Sequence, residues 1–168
     1  YEVREKATQM FFAETQNKLL YAVTHQTAAE IITSRANADK PNMGLTSWKG
    51  SVVRKQDIVI AKNYLDESEI DLLNRLTTLF LDTAELRVKE RKDLTLDYWR
   101  STADGVLTFN GKDVLQGKGS ISNAEMEKIA DAVYEKFNSR RKAQEALEAN
   151  QEDLKILEEF NNRVNKLQ

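Results

Sequence analysis

The sequence has 168 residues, of which 40% are hydrophobic and 31% are charged, and its net charge is −2. This composition is typical of one globular domain with long solvated faces, and the near-neutral charge gives no general attraction to nucleic acid or anionic membranes. The absence of cysteine excludes disulfides and thiolate chemistry, and a single histidine excludes the usual zinc sites, so we expect neither a metal nor a cofactor.

The apolar runs of the chain are short. A stretch such as IVIA at residues 58–61 is far from the ~20 residues that span a bilayer. No signal peptide is visible, so we expect a cytoplasmic protein without membrane contact. The chain begins at Tyr1, already within a helical pattern, and we expect a further module upstream of it.

Proline and glycine occur in two short regions, and the segments around them follow helical spacing. Asp66 with Glu69 forms a capping-box arrangement, and Thr95 is a further N-cap. The apolar stripe of the helix that begins at Asp66 ends at the charged residues 87–93. The pattern predicts, in chain order, helices over residues 3–23, 27–36, 55–64, 66–86 and 95–107.

The C-terminal part of the chain contains neither glycine nor proline from Ser120 onward. Ser122 and Glu125 form another capping box, and the segment that follows is either one long helix or a hairpin that turns near residues 139–144 or Asn150. It packs on the same domain or on a partner. Its apolar residues are the predicted interface for self-association or for a protein partner. They are Leu147, Leu154, Leu157, Phe160 and Val164.

The fold prediction is therefore all-α: an irregular bundle of about six or seven helices. Residues 1–120 form its core, and residues 121–168 form the long C-terminal helix or hairpin. The stretch DKPNMGLTSWKG, residues 39–50, holds the only proline and one of two tryptophans. Pro41 ends the second helix. The large apolar groups that follow it are predicted to pack back onto the helical core.

This loop region is also locally basic. Between Arg35 and Lys62 six residues are basic and two, Asp39 and Asp57, are acidic. One interpretation is that Trp48 stacks on a base or sugar while nearby cations bind its phosphate. Residues 49–62 are then a candidate nucleic-acid surface. A solvated basic face is the alternative.

Several stretches, among them FFAETQNKLLYAVTHQTAAEII, DKPNMGLTSWKG and AKNYLDE, resemble the RhuM family of virulence proteins over nearly the whole chain. The resemblance implies the C-terminal half of a longer protein, whose N-terminal half is a small DNA-binding module of winged-helix or phage-antirepressor type. Some relatives look linked to Fic domains, but no Fic motif is present here. His25 stands where the family has a glycine. The resemblance implies no particular reaction.

Ten residues are candidates for ligand binding, and none is assigned a catalytic role. Gln16 falls between Phe12 and Leu19 in the pattern and is expected to be a buried amide bonded to the loop. Asp82 and Glu85 share a helical face that could serve acid–base chemistry or hold magnesium, or is simply solvated. The ten are Gln16, Asn17, Arg35, Asn42, Thr46, Trp48, Lys49, Lys62, Asp82 and Glu85.

A glycine-rich stretch, GKGS at residues 117–120, precedes a helix start and could hold an anion. Taken together, we expect the effector or oligomerisation domain of a DNA-associated regulatory protein, linked to virulence or mobile DNA. The alternative is an enzyme acting on a nucleotide or nucleic acid, with a site formed by residues 16–62 and 82–85.

Overall fold

The computed structural model describes residues 2–90 and 94–167, and within them the chain is helical without strands. Residues 91–93 of the predicted charged helix end, and Gln168 of the predicted C-terminal segment, lie outside the described residues. The all-α prediction is confirmed, with five α-helices and two short 3-10 turns, Pro41–Gly44 and Ala61–Tyr64, where six or seven helices were expected. The α-helices are α1 (Glu2–Thr24), α2 (Ala28–Arg35), α3 (Glu67–Glu90), α4 (Leu96–Phe109) and α5 (Asn123–Lys166).

The short helix α2 lies at the centre of the fold. Ile31 and Ile32 are fully buried between α1, which also contacts α3 and α4, and α5, which covers α2 with Met126 and Ala130. Thr27 caps α2, because its side-chain oxygen accepts a hydrogen bond from the backbone N–H of Glu30. The body of the protein is thus built around α2.

The buried face of α1 includes Leu19 and Leu20, as their spacing indicates, but differs from the expected one nearer the start of the helix. Phe11 and Thr15 are buried, whereas Phe12 is 65% exposed and Gln16 is exposed. The expectation that Gln16 is a buried amide is therefore wrong. Apolar residues occur on several sides of this helix, so their spacing could not identify the side that packs.

The predicted helix over residues 55–64 is also wrong in most of its length. Residues 55–59 form turns, and only Ala61–Tyr64 is a 3-10 helix. The buried Asp57 explains the difference, because its carboxylate accepts from the backbone N–H of Arg54 at 2.8 Å and its carbonyl accepts from the side chain of Asn63 at 3.0 Å. These local bonds replace helical ones.

The Pro/Gly/Trp loop packs into the bundle, as predicted. Met43 and Leu45 are buried, and Trp48 is partly buried against the same core. Asn42, Met43 and Gly44 follow one another with φ of 55°, 61° and 87°. A β-carbon on Gly44 would lie 2.5 Å from the carbonyl oxygen of Arg35, so this close approach requires glycine.

The C-terminal segment is one continuous helix of 44 residues and not a hairpin. At 1.5 Å per residue α5 is about 66 Å long. Its start is the predicted capping box, in which Ser122 and Glu125 exchange side-chain and backbone hydrogen bonds. Only its first part, to Arg141, contacts the rest of the protein.

Candidate interaction surfaces

Two arginines anchor α5 where it leaves the body. Arg141 donates through Nη1 to the carbonyl oxygen of Val53 at 2.8 Å, and its guanidinium lies 5.1 Å from the ring centroid of Phe137. Arg140 pairs with Asp39 in the loop. From Lys142 to Leu167 every residue is exposed, so about 37 Å of helix projects from the body.

The projecting part of α5 carries an apolar stripe. Leu147, Leu154 and Leu157 are 52%, 60% and 63% exposed, and Val164 is 38% exposed. With Asn150 and Asn161 they repeat at alternating spacings of three and four, the heptad pattern of a coiled coil. Phe160 lies beside the stripe and is also exposed. We use the name projecting stripe for these six residues, which are Leu147, Asn150, Leu154, Leu157, Asn161 and Val164.

The predicted ligand loop is tied down by backbone bonds. The N–H and the hydroxyl of Thr46 both donate to the carbonyl oxygen of Asn63, at 2.7 and 3.0 Å. The next residue after Asn63 is Tyr64, which is buried. Burial raises the pKa of its phenol, and the phenol hydroxyl donates a hydrogen bond to the carbonyl oxygen of Ile58 at 2.7 Å. Asn42 and Lys49 are exposed at the loop surface. The loop is thus an ordered part of the core with a polar outer side.

Arg35 is paired inside the protein. Its guanidinium forms a two-pronged contact with Glu69, at 2.6 and 2.8 Å, and donates to the carbonyl oxygen of Tyr64 at 3.0 Å. The hydrogen bond from Arg35 holds the pKa of the Glu69 carboxyl below its ordinary value, and the same bond raises the pKa of Arg35. This contact joins the end of α2 to the start of α3 and the 3-10 turn.

The remaining candidates lie apart from one another. Asn17 accepts from the backbone N–H of Ala28 at 2.9 Å, at the opposite end of α2 from Arg35 and about 10 Å from it along the helix. Asp82 is exposed on α3, thirteen residues or about 20 Å beyond Glu69. Glu85 is exposed as well and faces Lys89 of the same helix at 3.5 Å, and Lys62 is exposed on its 3-10 turn.

The glycine-rich stretch before α5 contacts the carboxylate of Glu30. The N–H of Ser120 donates to Glu30 Oε1 at 3.1 Å, and the hydroxyl of Thr27 donates to the same oxygen at 3.1 Å. A β-carbon on Gly119 would lie 2.3 Å from that oxygen. The stretch that could hold an anion thus contacts a carboxylate of α2.

A basic surface forms where α5 meets the loop, and sequence reasoning found only half of it. The contacts of Arg140 and Arg141 place the basic residues of α5 beside those of the loop. Arg140, and to a lesser degree Lys136, lowers the pKa of the Asp39 carboxyl. The run RRK at 140–142 was the available signal, but its position is set by tertiary packing. The basic surface comprises Lys40, Lys49, Arg54, Lys55, Lys136, Arg140, Arg141 and Lys142.

Two cavities lie elsewhere. A groove of about 710 Å³ runs between α3 and α4, where Phe109 is 91% exposed, and a hollow of about 300 Å³ lies beside Ser120 and the first turns of α5. None of the ten ligand-binding candidates lines either cavity. The groove is lined by Leu79, Thr83, Arg87, Tyr98, Ser101, Thr102, Gly105, Val106, Phe109 and Asn110.

Comparison with known proteins places the chain in a family. The model of the virulence protein RhuM family matches residues 1–145. The chain belongs to the RhuM family. The match covers the helical core and the first half of α5 and ends before the projecting stripe. No curated protein and no solved structure matches this RhuM chain.

His25 of this RhuM chain has a left-handed backbone, with φ of 60°. Left-handed angles favour glycine, which is the residue that the family resemblance puts at this position. The imidazole is exposed, with Nε2 lying 3.2 Å from an Asp113 carboxylate oxygen. A glycine at this position would adopt the same backbone angles without strain.

The described part of this RhuM chain shows neither a cluster of metal ligands nor a helix suited to cross a membrane. Within residues 2–90 and 94–167, no three histidine, aspartate or glutamate side chains come together as metal ligands would. None of the helices in the same residues combines the length and hydropathy that a bilayer crossing needs.

Proposed function

We propose that this RhuM-family chain is an assembly domain, which pairs with a second copy of itself through the projecting stripe of α5. In this proposal it forms the effector end of a regulatory protein whose DNA-binding part lies upstream. The observation that carries the proposal is the projecting helix itself, about 37 Å long and lined with exposed leucines.

A single helix in water gains nothing from such a stripe. Most of the stability of helices in proteins comes from covering an apolar face, which this stripe lacks in the single chain. Four apolar side chains per copy, each about half exposed, give roughly 1 kcal/mol each when covered, or about 8 kcal/mol for a pair of helices. A gain of about 8 kcal/mol alone corresponds to a Kd of about 1 μM, and the cost of association is subtracted from it, so we expect a dimer with a Kd well above 1 μM.

The charges of the projecting part are compatible with a second copy as the occupant. Residues 142–167 contain four basic and six acidic side chains, so the net charge is only −2 per copy and the repulsion between two copies is small. The basic residues are Lys142, Lys155, Arg163 and Lys166. The acidic ones are Glu145, Glu148, Glu152, Asp153, Glu158 and Glu159.

The test is the solution mass of two matched variants. Leu154 and Ile156 are 60% and 58% exposed but point to opposite sides of α5. Light scattering over a concentration series should find a dimer for the wild type and for Ile156→Glu, and a monomer for Leu154→Glu. Glutamate is a good helix former, so neither variant should lose helix. A monomeric wild type at several hundred micromolar, or equal effects of both variants, would refute the proposal.

A second candidate function is binding of nucleic-acid phosphates at the basic surface. It is supported by the proximity of the basic residues of α5 and the loop, which adds cations to those counted in the sequence. The salt dependence of binding to a short duplex tests it. Replacing Lys49 and Lys142 by Gln should lower the slope of log K against log salt by about one per lost phosphate contact, while Lys166→Gln should not. Wild-type binding without salt dependence would exclude it.

The enzymatic alternative needs amides, cations and carboxylates in one cleft. Asn17 and Arg35 face opposite ends of α2, and Asp82 lies far along α3. No observation in the described residues favours this alternative over assembly.

A further inference from the structure

We propose that the two copies pair their α5 helices antiparallel, in the register that sets Leu154 of one copy level with Leu157 of the other. This inference rests on the proposed function and adds the orientation and register of the pair. It follows from the order of residues along the projecting stripe, from the length of the projecting helix, and from the charges beside the stripe.

The order of the stripe reads the same in both directions in this register. Leu147 is level with Val164 of the second copy, Leu154 with Leu157, and Asn150 with Asn161. Every layer then joins apolar to apolar or amide to amide. Shifting by one heptad sets Asn150 against Leu154, or Asn161 against Leu157. Such a shift buries an amide against an apolar side chain that cannot bond it, which is costly.

The length of the projecting helix fits the same register. Leu167 of the second copy comes level with Gln144, just beyond Arg141, the last residue of α5 bonded to the body. The two projecting parts therefore overlap along their full length. A shift of one heptad toward the body would bring Leu167 level with Phe137, which packs on the core and against the Arg141 guanidinium. The body thus acts as a stop.

The charges beside the stripe disfavour the parallel arrangement. In a parallel pair Asp153 of each copy faces Glu158 of the other across the interface, twice per dimer. In the antiparallel pair Asp153 faces Phe160, and Glu158 faces Gln151. Like charges held opposite each other oppose association, so the antiparallel pair is favoured.

The antiparallel pair keeps the two bodies apart. In this register the Arg141 residues of the two copies are separated by 29 helical residues along the axis. The points where the two α5 helices leave their bodies therefore lie about 44 Å apart. Each copy then presents its basic surface at its own end of the assembly. A parallel pair would instead bring both sets of basic residues together at one end.

Spin-label distances test orientation and register, and the cysteine-free chain makes labelling selective. Glu145→Cys and Glu159→Cys each place one label on the outer side of α5, away from the stripe. The register predicts axial offsets of about 32 Å between the labels at 145 and about 11 Å between those at 159. With outward-facing labels roughly 20 Å apart across the pair, the measured distance should be about 15 Å longer at 145 than at 159. In the labelled protein this difference supports the proposal.

Other outcomes separate the inference from the proposed function. Equal distances at the two positions mean a parallel pair or a shift of one heptad toward the body, and axial offsets of about 42 Å at 145 and 0 Å at 159 mean a shift of one heptad away from it. Each of these results overturns the inference while leaving assembly through α5 intact. A dimer by light scattering without dipolar coupling at either position means that the copies meet elsewhere, which overturns both. A monomer by light scattering overturns the proposed function and the inference with it.

Discussion

Arg35 should be one of the most costly single side chains to remove from the fold. Its guanidinium makes two hydrogen bonds to Glu69 and one to the carbonyl oxygen of Tyr64, and the Arg35 and Glu69 side chains are only 29% and 17% exposed. Arg35→Met keeps the aliphatic stem but leaves a largely desolvated carboxylate with only the backbone N–H of Asp66, at 3.0 Å. Removing one partner of such a pair should lower the free energy of unfolding by about 3 kcal/mol at pH 7.

The loss should depend on pH in a defined direction. Arg35 holds the pKa of Glu69 below its ordinary value, so the pair stabilises the folded state above that ordinary value, near 4.5. This contribution disappears as pH falls through the lowered folded-state pKa, because Glu69 is then protonated with or without Arg35. The difference between wild type and Arg35→Met should therefore shrink from about 3 kcal/mol at pH 7 to about 1 kcal/mol in strong acid.

Urea unfolding followed by circular dichroism, at pH 7 and in steps below pH 4.5, measures this difference. Arg75→Met is the matched control, because Arg75 pairs with Asp71 on the open surface of α3 and its loss should not measurably change stability. A loss for Arg35→Met that is the same at every pH would mean that packing, and not the charge pair, accounts for the effect, and the reasoning would fail.

Two further predictions concern backbone groups around α2. Gly44→Ala should lower the free energy of unfolding by about 3 kcal/mol or more, since strain at positive φ is joined by a clash with the carbonyl of Arg35. Gly111→Ala, with positive φ but open space, should lose only about 1 kcal/mol; equal losses would contradict the clash. Asn17→Ala should lose about 1–2 kcal/mol and its exposed neighbour Gln16→Ala less than about 0.5 kcal/mol in the same urea assay, and a larger loss at Gln16 would contradict this assignment.

The sequence predicted those parts of the fold that depend on local chemistry. The caps Thr95 and Ser122 start helices where expected, because a side-chain oxygen before a helix satisfies free N–H groups whatever lies around it. The packed loop was predictable for a similar reason, since large apolar groups beside Pro41 have no stable place in water. These features need only near neighbours along the chain.

What the sequence could not decide depends on tertiary contacts. Phe11 and Phe12 are neighbouring residues of the same type, so the sequence does not show which of them is buried. The position of α1 against α3 and α4 buries Phe11 and leaves Phe12 exposed. The helix predicted over residues 55–64 failed because Asp57 finds bonds to Arg54 and Asn63 that compete with a helix. Each case turns on a partner that is distant or irregular in the sequence.

The candidate surfaces divide in the same way. The projecting stripe could be read from heptad spacing, but its exposure required knowing that α5 does not fold back as a hairpin. The basic surface could be predicted only in part from the sequence. Arg140 lies about 100 residues along the chain from its partner Asp39, and Arg141 lies about 90 residues from its partner Val53. Spacing finds a helix face, whereas a composite surface depends on the fold.

One helix links these surfaces to the core. Met126 and Ala130 of α5 are buried against α2, Arg140 and Arg141 bind the loop, and the stripe begins at Leu147, all without a glycine or proline between them. An uninterrupted helix fixes the direction of the stripe relative to the body, because bending it would break its own backbone bonds. Pairing through the stripe would therefore set the position of both bodies, and with them both basic surfaces, by the geometry of a single element.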